Sequence, residues 1–256
     1  MKTVLARHAW WLGPALLCVL AVALLLAPPI AQPQEYHRLA DARALAIDHW
    51  RLPNAADVLS SLAFVAVGVA GLGLIRRAPV PQQLALGIFF AGLALIGPGS
   101  IHYHLAPTDT TLFWDRLAMG IAFAGAVGAV AAERLGPVAG RVWLWSWLLL
   151  GVLALAQWRV ADDLRLYLLL QFGGFALLSV WLALPCPADH LRLPWGWLLL
   201  AYALAKAFEV ADQAVWTLSG GFVAGHALKH GVAALGVLPL LHALAHHGRP
   251  HSSGGR

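Results

Sequence analysis

The sequence predicts an all-α membrane protein, a bundle of seven transmembrane helices with an additional hydrophobic helix at the N-terminus. The 256-residue chain is 60% hydrophobic and only 11% charged, whereas about a quarter of the residues in a soluble domain are charged. Its apolar runs approach the roughly 20 residues that a membrane-spanning helix needs. Short charged or proline-containing breaks separate them. The runs lack the alternating polarity of strands in a membrane barrel, so we predict helices.

Eight apolar segments define the predicted organisation. They cover 9–31, 56–75, 84–106, 111–132, 142–157, 164–184, 194–211 and 221–246. We divide the chain into an N-terminal hydrophobic helix or signal anchor (1–31), an extramembrane loop (32–55), a seven-helix domain (56–246) and a disordered tail (247–256). The first segment also fits a cleaved signal peptide. Its length and the poor small-residue site before Gln32 favour an uncleaved helix.

The net charge of +5 arises from basic residues near the segment ends, which indicates membrane topology and contact with anionic lipid rather than nucleic-acid binding. One side of the bundle would hold both termini with Lys2, Arg7, Arg76, Arg77, Arg134, Arg141, Arg192, Arg249 and Arg256. The other would hold Arg38, Arg43, Arg51, Arg159 and Arg165. This excess predicts cytoplasmic termini. With only two cysteines, a disulfide framework is excluded.

Two histidine-containing pairs and one aspartate lie at the same ends of their segments. Ser100 and His104 are four residues apart, as are His226 and His230, so each pair shares one face of a helix. Asp115 opens the segment that follows His104 after a short turn. Three imidazoles with one open position form the usual catalytic zinc site. We therefore predict that His104, His226 and His230 bind zinc.

The same residues predict hydrolysis. Zinc lowers the pKa of its bound water to about 7, and the Asp115 carboxylate can accept a proton from that water. The Ser100 hydroxyl can donate to a developing oxyanion. A single His or Ser in a membrane more often serves helix packing. However, ionisable groups within a membrane are costly and usually functional.

Several other polar residues have simpler interpretations. His102 points elsewhere on its helix and is expected to support the site or lie at the interface. His242 and His246 form a second spaced pair, but His242 is about 18 Å along a helix from His230, so that pair is interpreted as part of a solvated tail.

Charged and aromatic residues near the predicted site leave alternatives open. Lys206 and Glu209 are interpreted as a self-neutralising pair that braces the bundle. Arg116 and Lys229 can neutralise Asp115 or contact a lipid head group. Tyr167 is either an interface anchor or an oxyanion donor.

Four motifs resemble the alkaline ceramidase family, within the CREST superfamily that includes adiponectin-type receptors. They are Asp57-Val-Leu-Ser60-Ser61-Leu, Ser100-x-x-x-His104, Asp115-Arg-Leu-Ala-Met119 and Gly225-His226-x-x-x-His230. The resemblance spans about 56–246. It implies a seven-helix bundle with an intramembrane zinc on His104, His226 and His230, Asp115 as general acid/base and Ser100 assisting, which hydrolyses the amide of ceramide.

Two departures from the family limit what the resemblance implies. Eukaryotic members bind calcium through an acidic, Trp-containing stretch, to which only Asp48, Trp50, Asn54 and Asp57 are comparable here. Arg51 interrupts the stretch, and Ser61 stands where the family usually has Asn, so these differences argue against calcium. The extra N-terminal helix and the Ala/Leu/Gly/Arg-rich composition suggest a bacterial protein, whose substrate would be another N-acyl lipid.

From the sequence we expect a zinc-dependent amidohydrolase of an N-acyl lipid, in contact with membrane lipids and not with nucleic acid. The expected location is a bacterial inner membrane, with the zinc site towards its outer side. The alternative is a receptor-like lipid-binding bundle in which zinc is structural and hydrolysis is weak or absent.

Overall fold

The computed structural model describes residues 11–186 and 191–247, and helices dominate it. The α-helices are α1 (Leu12–Leu26), α2 (Ala55–Leu74), α3 (Val80–Leu105), α4 (Asp109–Leu135), α5 (Pro137–Ala161), α6 (Arg165–Leu168), α7 (Gly174–Leu182), α8 (Trp195–Val210), α9 (Asp212–Leu218), α10 (Gly225–Leu235) and α11 (Leu238–His246). Short 3₁₀ turns cover Gln34–His37 and Ile75–Arg77, and a π-helical turn, Leu169–Gly173, joins α6 to α7. An antiparallel hairpin pairs β1 (Leu45–Ile47) with β2 (Trp50–Leu52).

Within the described residues, six helical segments are long and apolar enough to cross a membrane. They are Ala55–Arg77, Val80–Leu105, Asp109–Leu135, Pro137–Ala161, Arg165–Leu182 and Gly225–His246. The predicted all-α class is therefore confirmed, and the chain is compatible with a multi-pass integral membrane protein. Helix α8 has 16 residues and α1 has 15, both shorter than a typical span. The count of seven helices plus one stays a prediction.

The observed helices refine the predicted segments. The segment predicted over 142–157 is part of the longer helix α5, which begins at Pro137. The helix can start there because proline is well tolerated in the first turn of a helix. The segment predicted over 164–184 is interrupted by the π-helical turn. That predicted over 221–246 divides into α10 and α11 around Gly236. The predicted tail, apart from His247, lies outside the described residues.

Helix α4 is the central helix of the bundle. Of its most apolar 18-residue window, 78% is buried inside the protein, a larger share than for any other candidate span in the described chain. A tight turn joins it to α3 and ends in a capping box, in which Thr108 Oγ1 accepts from the Thr111 backbone N–H and Thr111 Oγ1 accepts from that of Thr108. This cap satisfies two backbone donors that a helix start otherwise leaves unpaired. The turn holds the end of α3 against the beginning of α4.

Small residues let α3 pack closely against both of its neighbours. A Cβ atom added to Gly92 would lie 2.4 Å from the backbone nitrogen of Ala122 on α4. One added to Gly68 of α2 would lie 2.4 Å from that of Ala94 on α3. Close backbone approach at small residues is a main source of helix association in membranes. These contacts fix the relative depth of α2, α3 and α4.

We expect Gly92→Ala to destabilise the protein by about 1–3 kcal/mol, the usual cost of overpacking a close contact. The added methyl group must displace the backbone of α4. Gly87→Ala is the matched control, since the same helix leaves open space around Gly87. Thermal unfolding in detergent would measure both changes. Equal stability of the two variants would contradict the packing argument.

Candidate metal centre and its cavity

His104, His226 and His230 converge at one end of the bundle, which we call the site end. Each offers a ring nitrogen, and these atoms all lie within 4.8 Å of one another. The ring centroids are 4.8 to 5.2 Å apart. All three residues are buried, and His104 has no exposed surface. The three histidines predicted from the sequence therefore form a group that can hold a metal ion.

The unpaired atoms of this group fit a metal ligand set. Both ring nitrogens of His104 are buried without a hydrogen-bond partner, which is rare for polar atoms in a folded protein. Two nitrogens on one tetrahedral zinc ion lie about 3.4 Å apart, given Zn–N bonds of about 2.1 Å. The ring nitrogens of the three histidines, all within 4.8 Å of one another, are close enough to hold one ion. Imidazole also suits copper, iron and nickel.

Hydrogen bonds from α2 orient the His230 ring. Its Nδ1 lies 2.9 Å from Ser60 Oγ, and this hydroxyl donates to the Asp57 carbonyl at 3.1 Å. Because the single hydroxyl proton is already used, the Ser60 oxygen accepts from Nδ1–H. The lone pair of His230 is therefore on Nε2 and is available to a metal. Ligating histidines are commonly fixed in this way.

Neighbouring polar side chains hold the backbone at the other two histidines. Asp212 Oδ1 accepts from the His226 backbone N–H at 2.7 Å, and so satisfies an otherwise unpaired donor at the start of α10. The Asn54 amide donates to the His104 carbonyl at 2.7 Å. Asp212 belongs to α9 and Asn54 precedes α2, whereas His226 lies in α10 and His104 in α3.

A cavity of about 150 Å³ extends from the metal centre into the bundle. Ser100, Asp115 and His230 line its polar end, whereas aromatic and aliphatic side chains from α2, α3, α4, α7, α8 and α10 line the remainder. Its wall on α4 runs from Asp115 to Ala126, which is about 16 Å at the rise of an α-helix. The cavity therefore has a polar end and an apolar body, like a lipid.

The predicted catalytic residues lie together in this cavity. Asp115 is 7% exposed and Ser100 is 1% exposed. Ser61 Oγ lies 3.0 Å from Ser100 Oγ and 2.7 Å from the Asp57 carbonyl, so Ser61 fixes the position of the Ser100 hydroxyl. The arrangement places a carboxylate and a hydroxyl in the same polar end as the His230 ring. Their catalytic roles stay predictions.

Glu209 joins two lysines at the same polar end. The predicted pair of Lys206 and Glu209 is confirmed as an ion pair, but Lys229 Nζ also contacts Glu209 Oε1 at 2.7 Å. The Tyr36 hydroxyl donates to Glu209 Oε1 at 2.9 Å. Burial raises the pKa of Tyr36, and the Glu209 carboxylate raises it further, so this phenol stays a donor. The pair expected to be self-neutralising is thus a group of two cations and one anion.

Residues 30–43, which we call the strap, cross the site end. The Ile30 carbonyl accepts from the Leu164 N–H at 2.8 Å, and the Ala40 N–H donates to Asp212 Oδ2 at 3.0 Å. Between them, the His37 ring lies 3.1 Å from both the Tyr103 hydroxyl and Asp109 Oδ1. The strap therefore ties the linker between α5 and α6 to α3, α4 and α9, and it covers the end of the bundle that carries the metal centre.

Other residues considered in the sequence take different places. Arg116 donates to Gln32 Oε1 at 2.6 Å and stacks on Trp158 and Tyr167, with its guanidinium carbon 4.2 and 4.6 Å from their ring centres. It thus braces the strap and forms no ion pair with Asp115. The Tyr167 hydroxyl accepts from the Gln171 amide at 3.0 Å, and Tyr167 does not line the cavity.

Three other histidines considered in the sequence are not part of the three-histidine group. His102, His242 and His246 are exposed. The ring centroids of His242 and His246 are 4.2 Å apart. Sequence reasoning missed the roles of Asp212 and Tyr36, which reach the site through tertiary contacts. The Ser60-Ser61 pair carried a signal, since both serines lie one turn beyond Asp57 in a hydrophobic helix.

Comparison of the chain with models of protein families, with curated proteins and with solved structures gives no match. The resemblance to the alkaline ceramidases therefore stays a prediction from the motifs.

We expect the purified protein to contain one divalent metal ion per chain and His226→Ala to lose it. Ser60→Ala should weaken metal binding by about 10- to 100-fold, the usual effect of removing a support from a ligand. Metal analysis by mass spectrometry at controlled free metal would measure both. His102→Ala is the control, because this exposed histidine is on the same helix as His104. Full metal retention by His226→Ala would exclude the three-histidine centre.

Proposed function

We propose that the protein is a zinc-dependent intramembrane amidohydrolase, which cleaves the amide of ceramide or a related N-acyl lipid to a fatty acid and a long-chain base. The observation that carries this proposal is the position of three buried histidines beside a cavity that also contains Ser100 and Asp115. A lipid-binding protein with a structural metal also needs an apolar cavity, but it does not need a carboxylate and a hydroxyl at the polar end of that cavity.

His104, His226 and His230 would hold zinc, which would supply Lewis acidity towards a carbonyl oxygen and lower the pKa of a bound water. The chain supplies the remaining chemistry. Asp115 accepts a proton from the attacking water and returns it to the leaving amine. The Ser100 hydroxyl, held by Ser61, donates to the carbonyl oxygen as negative charge develops there. The apolar walls hold the acyl chain and exclude bulk water.

The position of the strap favours entry of the substrate into the cavity from within the bilayer. It covers the site end with hydrogen bonds to several helices, so a substrate with a long acyl chain would move sideways between helices. We also propose that both termini are cytoplasmic and that the metal centre faces the outer side of a bacterial inner membrane. The distribution of Lys and Arg supports this topology.

We expect Asp115→Asn to reduce fatty-acid release by at least about 100-fold, the lower range for loss of a general acid or base. The metal should remain, because the three histidines are intact. Fatty-acid release from a panel of N-acyl lipids would be measured together with zinc content. Chelation should abolish release by the unaltered protein, and added zinc should restore it.

Asp48→Asn is the matched control for Asp115→Asn. Asp48 is exposed in the turn of the hairpin with a φ of 53°, a conformation that Asn also adopts readily. Fatty-acid release that persists in Asp115→Asn would contradict the role of Asp115 as general acid and base. An unaltered protein that binds zinc and lipid but hydrolyses nothing would instead support the receptor-like alternative.

A further inference from the structure

Four charged side chains line the polar end of the cavity and balance one another. Lys206 and Lys229 carry positive charge, and Asp115 and Glu209 carry negative charge. Charges removed from water need opposite charges nearby, and two ammonium groups with two carboxylates meet this need without a bound ion. This end of the cavity is therefore suited to a neutral polar group of the substrate.

The four charges are balanced, but they are not all in direct contact. Lys206 and Lys229 both form ion pairs with Glu209. Among the described residues, no cationic side chain lies within 4.0 Å of the Asp115 carboxylate. Asp115 is thus left to the reaction, while the two lysines and Glu209 form a separate polar group on α8 and α10.

The lysines have more hydrogen-bond donors than Glu209 uses. An ammonium group has three N–H donors, and among the described residues Glu209 is the one hydrogen-bond acceptor of each lysine. Lys206 has the most exposed side chain of the three, at 27% against 15% for Lys229 and 12% for Glu209. Because Lys206 also lines the cavity, its two remaining donors are accessible to a ligand there.

Glu209 keeps one acceptor position beside these donors. Each oxygen of a carboxylate can accept two hydrogen bonds. Oε1 accepts from the Tyr36 hydroxyl and from Lys229, so both of its positions are used. Within the described chain, Oε2 accepts from Lys206 alone, and one position remains. The contacting pair of Lys206 and Glu209 thus presents a donor and an acceptor side by side.

We propose that Lys206 and Glu209 form a subsite for a hydroxyl group on the amine portion of the substrate. A hydroxyl fits because its oxygen accepts from Lys206 while its proton is donated to Glu209 Oε2. A methyl group at the same place would leave both partners without a hydrogen bond, at a cost in free energy. The inference rests on the proposed amidohydrolase function and deepens it. The substrate class becomes the N-acyl amino alcohols, which include ceramide, rather than the N-acyl alkylamines.

The position of the pair assigns the hydroxyl to the amine portion and not to the acyl chain. Glu209 is bonded to Lys229, which immediately precedes His230, so the pair lies close to the metal centre. The acyl chain fills the apolar body of the cavity, which aromatic and aliphatic side chains line. The group next to the amide nitrogen is then the part of the substrate that reaches Lys206 and Glu209.

Two pairs of neutral lipids with the same acyl chain test the proposal directly. N-palmitoylethanolamine is compared with N-palmitoylpropylamine, in which a methyl group replaces the hydroxyl. N-palmitoylsphinganine, a ceramide, is compared with its analogue that lacks both hydroxyl groups. At equal mole fraction in mixed micelles, we expect kcat/KM for the hydroxylated member of at least one pair to be higher by at least about tenfold, as for a hydrogen bond to a charged group. Equal rates within both pairs would overturn the proposal without any variant.

Lys206→Met identifies the residue responsible for the preference. This change removes the free donors but leaves Glu209 bonded to Lys229 and Tyr36. It should reduce kcat/KM for the preferred hydroxylated lipid by about tenfold and that for its paired analogue by less than about twofold. Lys206→Arg keeps the charge and the N–H donors and should retain the preference. Leu204→Met is the control on the same helix, since Leu204 is 47% exposed and does not line the cavity.

Binding measurements separate this inference from the proposed function. In Asp115→Asn, which blocks the reaction, equilibrium binding of the same lipids is measured with and without Lys206→Met. No hydrolysis of any lipid by the unaltered protein would reject the enzyme, whereas tighter binding of the hydroxylated lipids would still support the subsite. Hydrolysis without a preference within either pair, or an equal loss for both members of a pair in Lys206→Met, would reject the subsite and leave the enzyme in place.

Discussion

Three imidazoles buried at one end of a hydrophobic bundle are the constraint on which the rest of the structure depends. Polar groups in apolar surroundings need partners, and the chain provides them for the atoms around the histidines. Ser60 binds one nitrogen of His230, and Asp212 and Asn54 bind the backbone at His226 and His104. Both nitrogens of His104 are left without a partner. These two nitrogens lie in the group of three histidines that can hold a metal ion.

Close packing of the helices fixes the positions of the residues around the three histidines. Helices α2, α3 and α4 approach one another at small residues such as Gly68 and Gly92, so they cannot slide without a clash. The capped turn between α3 and α4 then holds His104 and Asp115 at a common depth. One end of the cavity becomes polar, and the apolar interior of the bundle forms the remainder. A lipid with a polar group at one end of an acyl chain matches that distribution.

The strap contacts both the helix ends and Glu209, which lines the cavity. The strap closes the site end by hydrogen bonds to helix ends, and Tyr36 extends this closure into the cavity by its bond to Glu209. Arg116 has a related role through Gln32 and its stacking on Trp158. Polar residues of the loop 32–55 therefore serve the interior of the bundle as well as its surface.

The sequence alone determined the helical class and the three histidines, because hydrophobic runs and four-residue spacings are local properties of the chain. It also predicted that Ser100 and Asp115 lie near these histidines, since each is beside a helix end that a short turn brings back. Tertiary structure decided the partners of Glu209 and Asp212. Lys229 is 20 residues from Glu209, and Tyr36 and Ala40 are more than 170 residues from theirs. No local spacing encodes such contacts, because they depend on how the helices pack and where the strap crosses them.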